Sequence, residues 1–90
     1  VLQEFHPEQI LNIYPNPIKT GNILTIDGTY NSNINQITIE IVDVAGNIKF
    51  QKRHCNNFRI QIDTNEFMPG IYFVRLKENN SAQVKQLLIH

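Results

Sequence analysis

Apolar and polar residues alternate one for one in two windows of this chain, Ile37-Thr38-Ile39-Glu40-Ile41 and Phe58-Arg59-Ile60-Gln61-Ile62-Asp63. Successive side chains of an extended strand point to opposite faces, so each window puts one face in a core and the other in water. No helix-length stretch carries the three-to-four apolar period of an amphipathic helix. Composition agrees, with fourteen Ile and twelve Asn but one Met and no Trp among ninety residues. Branched Ile packs well on a pleated surface, and Asn suits turns because its side chain bonds nearby backbone. The chain therefore reads as strands punctuated by turns, which argues against a helical bundle.

Five further strands follow from the same reasoning. Ile10-Leu11-Asn12-Ile13-Tyr14 is stopped by Pro15-Asn16-Pro17, where two prolines remove backbone donors and hold Asn16 extended. Thr20-Gly21-Asn22 turns into Ile23-Leu24-Thr25-Ile26, after which residues 27–36 read as a polar crossover anchored by Tyr30 and Ile34. After Ile41 the apolar pattern slips to Val42 and Val44, which predicts a bulge or a change of environment. Ala45-Gly46-Asn47 turns into a strand from Ile48. Met68-Pro69-Gly70 suits a type II turn into a strand over 71–77 with Tyr72, Val74 and Leu76 inward. Asn79-Asn80-Ser81 closes a hairpin into a last strand over 83–89. Seven short strands spaced about ten residues apart predict an all-β, seven-stranded antiparallel β-sandwich of Ig-like architecture, without the Cys–Trp–Cys signature of true immunoglobulin domains.

Ninety residues make one domain, read here as 10–90 with a linker or N-terminal extension over 1–9. Eight Lys and Arg balance eight Asp and Glu, which removes the usual electrostatic case for nucleic acid or an anionic membrane as partner. Cys55 stands alone, so no intrachain disulfide forms. Apolar runs are too short for a membrane-spanning helix, and the first residues lack the pattern of a signal peptide. Because the chain begins with Val, it reads as a piece of a longer protein whose export signal would lie outside this sequence.

Chemistry has little to stand on. His6, His54 and His90 are scattered, and His54 and Cys55, as strand neighbours, point to opposite faces rather than forming a thiolate pair. Hydrolase, zinc-protease and nucleotide-binding motifs are missing from the sequence. Asp63-Thr64-Asn65-Glu66 offers oxygen ligands but lacks the length and glycine of a calcium loop, so it reads as a solvated turn. No catalytic residue, metal site or cofactor is expected. A carbohydrate site would want exposed rings, and Tyr30 is the one aromatic assigned to a loop.

Four segments then fall in a telling order: Tyr14-Pro15-Asn16-Pro17, Ile39-Glu40-Ile41-Val42-Asp43-Val44-Ala45-Gly46, Met68-Pro69-Gly70-Ile71-Tyr72-Phe73-Val74 and the terminal Lys85-Gln86-Leu87-Leu88-Ile89. Together they resemble the C-terminal sorting domain (type A) of type IX, or Por, secretion cargo in Bacteroidetes, from about Ile10 to the last residue. Members often finish on a basic residue, whereas this chain finishes on His90. The resemblance implies an address label rather than an enzyme. It would direct a cargo on its N-terminal side through the periplasm and across the outer membrane, to the cell surface or the medium. The implied partners are the type IX translocon and, in many members, a sortase-like peptidase that removes the label. The rival readings are an adhesion or carbohydrate-binding module of a surface protein and a passive structural β-sandwich appended to a large surface enzyme.

Within that resemblance the candidate recognition residues are Lys85, Gln86, Leu87, Leu88 and Ile89, with Pro15, Asn16, Pro17, Pro69 and Gly70. Edge strands offer unpaired backbone to which a receptor adds a strand, and Lys85 interrupts an otherwise apolar run. Core closure explains Leu87, Leu88 and Ile89 equally well, and strand termination explains the two prolines.

Overall fold

A computed structural model of the chain describes residues 9–30, 37–54, 58–77 and 82–90. Seven strands run in order: β1 (Gln9–Tyr14), β2 (Ile23–Tyr30), β3 (Ile37–Asp43), β4 (Ile48–His54), β5 (Phe58–Asp63), β6 (Gly70–Lys77) and β7 (Ala82–Ile89). They form two antiparallel sheets, one ordered β1-β2-β5 and the other β4-β3-β6-β7. This is the all-β sandwich that the alternating windows predict. Among the described residues there is no α-helix, only a 3-10 turn over Thr64–Glu66.

Burial follows the two-residue period most cleanly in β5, where Phe58, Ile60 and Ile62 are buried and Arg59, Gln61 and Asp63 exposed. Tyr72, Val74 and Leu76 of β6 face inward as expected. These side chains join Leu11, Leu24, Ile26, Ile37, Ile39, Ile41, Leu87 and Ile89 in one core between the sheets. β-Branched Ile supplies most of β3's inner face because each strand there must fill space against the facing sheet.

Several elements differ from the sequence reading. β2 continues to Tyr30, so Tyr30 ends a strand rather than sitting on a loop. Gly70 opens β6 opposite Ile89 with φ 158°, far from the about +80° that a type II turn needs at that position. The pattern slip at Val42 coincides with a bulge, but the extra residue lies on the partner: Ile41 pairs with Phe50 and Val42 with Ile48, leaving Lys49 unmatched on β4. Against β6 the register of β3 runs on without interruption. The stretch 55–57 with Cys55 and the turn expected at Asn79-Asn80-Ser81 lie outside the described residues.

Glu40 departs most from expectation. It points to the outer face of the four-stranded sheet, yet is only 2% exposed. Its ladder neighbours roof it: Arg75 donates from Nε and Nη2 to Oε1 at 3.0 and 2.7 Å, and Gln51 donates to Oε2 at 2.8 Å. Lys77 lies 3.8 Å away. A central strand is crowded on both faces, so a carboxylate there is tolerated only with its lone pairs matched.

Replacing Ile39, which is fully buried, with Ala should cost about 3 kcal/mol in urea unfolding, from lost transfer energy and a residual cavity. Ile48→Ala, at a side chain 51% exposed, should stay within about 0.5 kcal/mol of the parent.

Candidate recognition surface

β7 is the last strand of its sheet, and an edge strand presents a row of unpaired N–H and C=O groups. Over residues 86–90 that row is used up by the chain's own N-terminal part. Ending β1 at Pro15 leaves Asn16 beside β7, where its amide works like a piece of backbone: Nδ2 donates to Gln86 O at 2.8 Å and Oδ1 accepts from Leu88 N at 3.1 Å. Ile18 N then donates to Leu88 O at 2.9 Å, His90 N to Ile18 O at 2.9 Å, and Thr20 N to His90 O at 2.8 Å. Ile18 and Ile89 thus form a short parallel bridge, both buried. The bonds preceding Pro15 and Pro17 are both cis.

The segment that closes this edge is itself pinned. Buried Thr64, at the start of the 3-10 turn, donates from Oγ1 to Asn22 O at 2.7 Å and accepts from Gly21 N at 3.0 Å. Thr20 Oγ1 reaches Phe67 O at 3.1 Å. Asp63 caps the turn by accepting from Asn65 N at 2.9 Å, which is the structural use of its carboxylate. Neither Thr64 nor Thr20 stands out in the sequence. The only available signal was a short polar residue following an Asp at the end of a strand, the pattern of a capped turn.

The ten candidate residues therefore gather unevenly. Gln86 to Ile89 lie between Gly70 and Phe73 of β6 on one side and Asn16 and Ile18 on the other, with Pro15, Pro17 and Pro69 nearby in the chain. Leu87 and Ile89 point into the core, whereas Gln86 and Leu88 face outward, Leu88 being 39% exposed. Lys85 sits farther along, opposite Val74 on the inward-facing side. From the sheet edge its ammonium reaches across to the other sheet and donates to Leu11 O of β1 at 2.7 Å, the snorkelling expected of a long cation above an apolar layer. Ile71 and Phe73 are ladder neighbours of Leu88 and Gln86 on the outer face.

Two electrostatic arrangements stiffen the ends of the strands. Asp43 closes the turn after β3: Asn47 N–H and its side-chain amide, then Ala45 N–H, all donate to its carboxylate and hold its pKa below the ordinary 3.8. Gly46 takes φ +90° there, a conformation that side chains with a Cβ rarely adopt. On the three-stranded sheet the Tyr14 hydroxyl donates to Asp27 at 2.5 Å and Asn12 to the same carboxylate at 3.1 Å. The Tyr14 bond lowers the Asp27 pKa and, in turn, raises that of Tyr14. Burial raises Tyr72, whose hydroxyl donates to Met68 O at 2.6 Å while its ring meets Phe67 edge-on.

An open depression of about 410 Å³ lies beside Tyr72, lined by Asp43, Lys49, Glu66, Phe67 and Met68. Its ring is packed rather than offered as a stacking platform. Among the described residues no three His, Cys, Asp or Glu side chains converge as metal ligands, and no helix is long and apolar enough to cross a membrane.

The described residues form a small β-sandwich whose last strand is held by the segment that follows β1. The chain belongs to the family of secretion-system C-terminal sorting domains, which matches residues 12–90. It is a C-terminal sorting signal for type IX secretion and interacts with that machinery as the tail of a secreted or cell-surface protein. An endo-acting ulvan lyase from Formosa agariphila is 30% identical over 80 residues, which is 88% of this chain and only 14% of the lyase.

Two outcomes test this geometry. Asn16→Ala should lower stability by about 1 kcal/mol, since it leaves two backbone groups of β7 without partners, and should speed hydrogen exchange at Leu88 N–H. Asn16→Asp keeps the acceptor and should protect that amide better than Ala. Because the folded state depresses the Asp43 and Asp27 pKa values, their stabilisation is present above about pH 4 and is lost as pH falls through the folded values. The urea midpoint should therefore fall from pH 6 to pH 3, and fall less in Asp43→Asn.

Proposed function

We propose that this chain is the detachable address of a larger cargo joined to its N-terminal side. The translocon reads it in the folded state through side chains at the closed end of β7. The observation that carries this reading is the pairing of residues 86–90 with residues 16–20. With the backbone edge occupied, a receptor has Gln86 and Leu88 to touch, rimmed by Pro15, Asn16, Pro17, Pro69 and Gly70. Leu87 and Ile89 act indirectly, by holding the strand in the core, and Lys85 acts by tying β7 to β1.

The chain itself performs no catalytic step. It takes the cargo from the periplasm through the outer membrane, after which a sortase-like peptidase separates cargo from label. The small share of the lyase that matches supports a short label on a much longer protein. An adhesion or carbohydrate-binding role has less support, because the Tyr72 ring is buried and Tyr14 is tied to Asp27.

The test fuses this domain to a reporter with its own inner-membrane export signal, in a bacterium with a working type IX system. The intact fusion should reach the outside, and a fusion lacking residues 85–90 should remain periplasmic. Because that truncation removes core side chains, Leu88→Glu, which alters only an outward residue, serves as the second variant. It should keep its fold and lose at least tenfold in delivery. A folded Leu88→Glu fusion delivered as well as the parent would contradict the proposed surface.

A further inference from the structure

The zero net charge conceals a division. The strands of the four-stranded sheet carry six cations (Lys49, Lys52, Arg53, Arg75, Lys77 and Lys85) against Glu40 and Asp43, a balance of +4 that the rest of the chain offsets with −4. Three of the cations are on β4, which carries no acid. Lys49 is 3.9 Å from Asp43, whereas Lys52 and Arg53 have no acidic partner among the described residues.

β4 is also the open edge of that sheet. Among the described residues no strand pairs on its outer side, in contrast to β7. Beyond the bulge at Lys49, residues 50–54 pair regularly with β3, so their outward backbone groups run in even register. Beside them lies a depression of about 300 Å³ lined by Phe50, Ile62, Phe67, Asp63, Asn65 and Glu66. Phe50 is only half-buried.

We infer that β4 receives an extended acidic segment of a partner protein as a fifth strand. The segment carries acidic residues beside Lys52 and Arg53 and an apolar residue beside Phe50 that enters the depression. Backbone pairing supplies the ladder, and the alternate side chains supply selectivity. In the antiparallel sense of the three strand ladders of this sheet, the segment reads acidic, acidic, polar, apolar from its N-terminal end. Asp63 and Glu66 on the rim of the depression exclude an acid from the apolar position. A second copy of this chain is a poor occupant, because two β4 edges would set like charges against each other. Lysines on an edge strand also guard against aggregation, and that role alone would require neither the depression nor the segregation of charge. The inference does not depend on the sorting role and is tested on the isolated chain.

The probe is a blocked, fluorescent peptide Thr-Glu-Glu-Thr-Val-Thr, read by anisotropy and by amide shifts in a nitrogen–proton spectrum. It should bind and shift the amides of residues 50–54. Affinity should fall at least tenfold with the double variant Lys52→Glu, Arg53→Glu, and at least tenfold when backbone N-methylation blocks the peptide's ladder. Lys19→Glu, on the segment beside β7, should leave affinity within twofold. Thermal unfolding of both variants verifies the fold. Absence of binding overturns the inference, as does equal binding of the N-methylated peptide. Polygalacturonate that displaces the peptide and shifts the same amides would make the edge a general polyanion site and would likewise overturn it.

Discussion

The backbone of the last strand has to find partners, and the chain supplies them from its own beginning. An edge strand left open over residues 86–90 would invite pairing with any extended segment. Asn16, Ile18 and Thr20 occupy that position, and Thr64 in turn fixes the loop that presents them. Interruption of β1 by two prolines follows from the same requirement, because the chain must leave one sheet to reach the edge of the other. Lys85 adds a second tie between β7 and β1. The C-terminal strand is therefore part of the fold as a whole, and over residues 86–89 it shows solvent only the outward alternation at Gln86 and Leu88.

The same demand for satisfied groups shapes the middle of the four-stranded sheet. β3 is crowded on both faces, and Glu40 is accommodated only because Arg75 and Gln51 lie directly across the ladders. Fixing these registers places Ile71, Phe73 and Leu88 together at one end and the cations of β4 at the opposite edge. Among the described residues one sheet thus presents two different edges, a closed one at β7 that shows side chains and one at β4 that no strand covers. The neutral composition hides this, because the compensating acids sit elsewhere.

Strand identity was legible wherever one face meets the core and the other meets water, as in β5 and β6. It was less legible where that rule fails. Glu40 looked solvent-facing because alternation reports the face and not what covers it, and cover comes from strands distant in sequence. The slip at Val42 was visible, but which strand holds the extra residue depends on pairing with β4. Tyr30 reads as a loop residue because Asp27 and Gly28 are poor strand formers, yet the ladder with β1 extends through them. Of the candidate recognition surface, the motif residues are readable from the resemblance. The bonds from Asn16 to Gln86 and Leu88 were not, since they join residues about seventy positions apart.

Family membership rests on a match over residues 12–90, and the lyase relative matches this chain over 14% of its own length. The most direct measurement is transplantation of the whole domain. A reporter with an inner-membrane export signal is expressed with and without this chain at its C-terminus, in a type IX-competent strain and in one lacking the translocon. The account predicts reporter at the surface or in the medium only when both domain and translocon are present. Reporter left in the periplasm of the competent strain, or found outside in the deficient one, would contradict it.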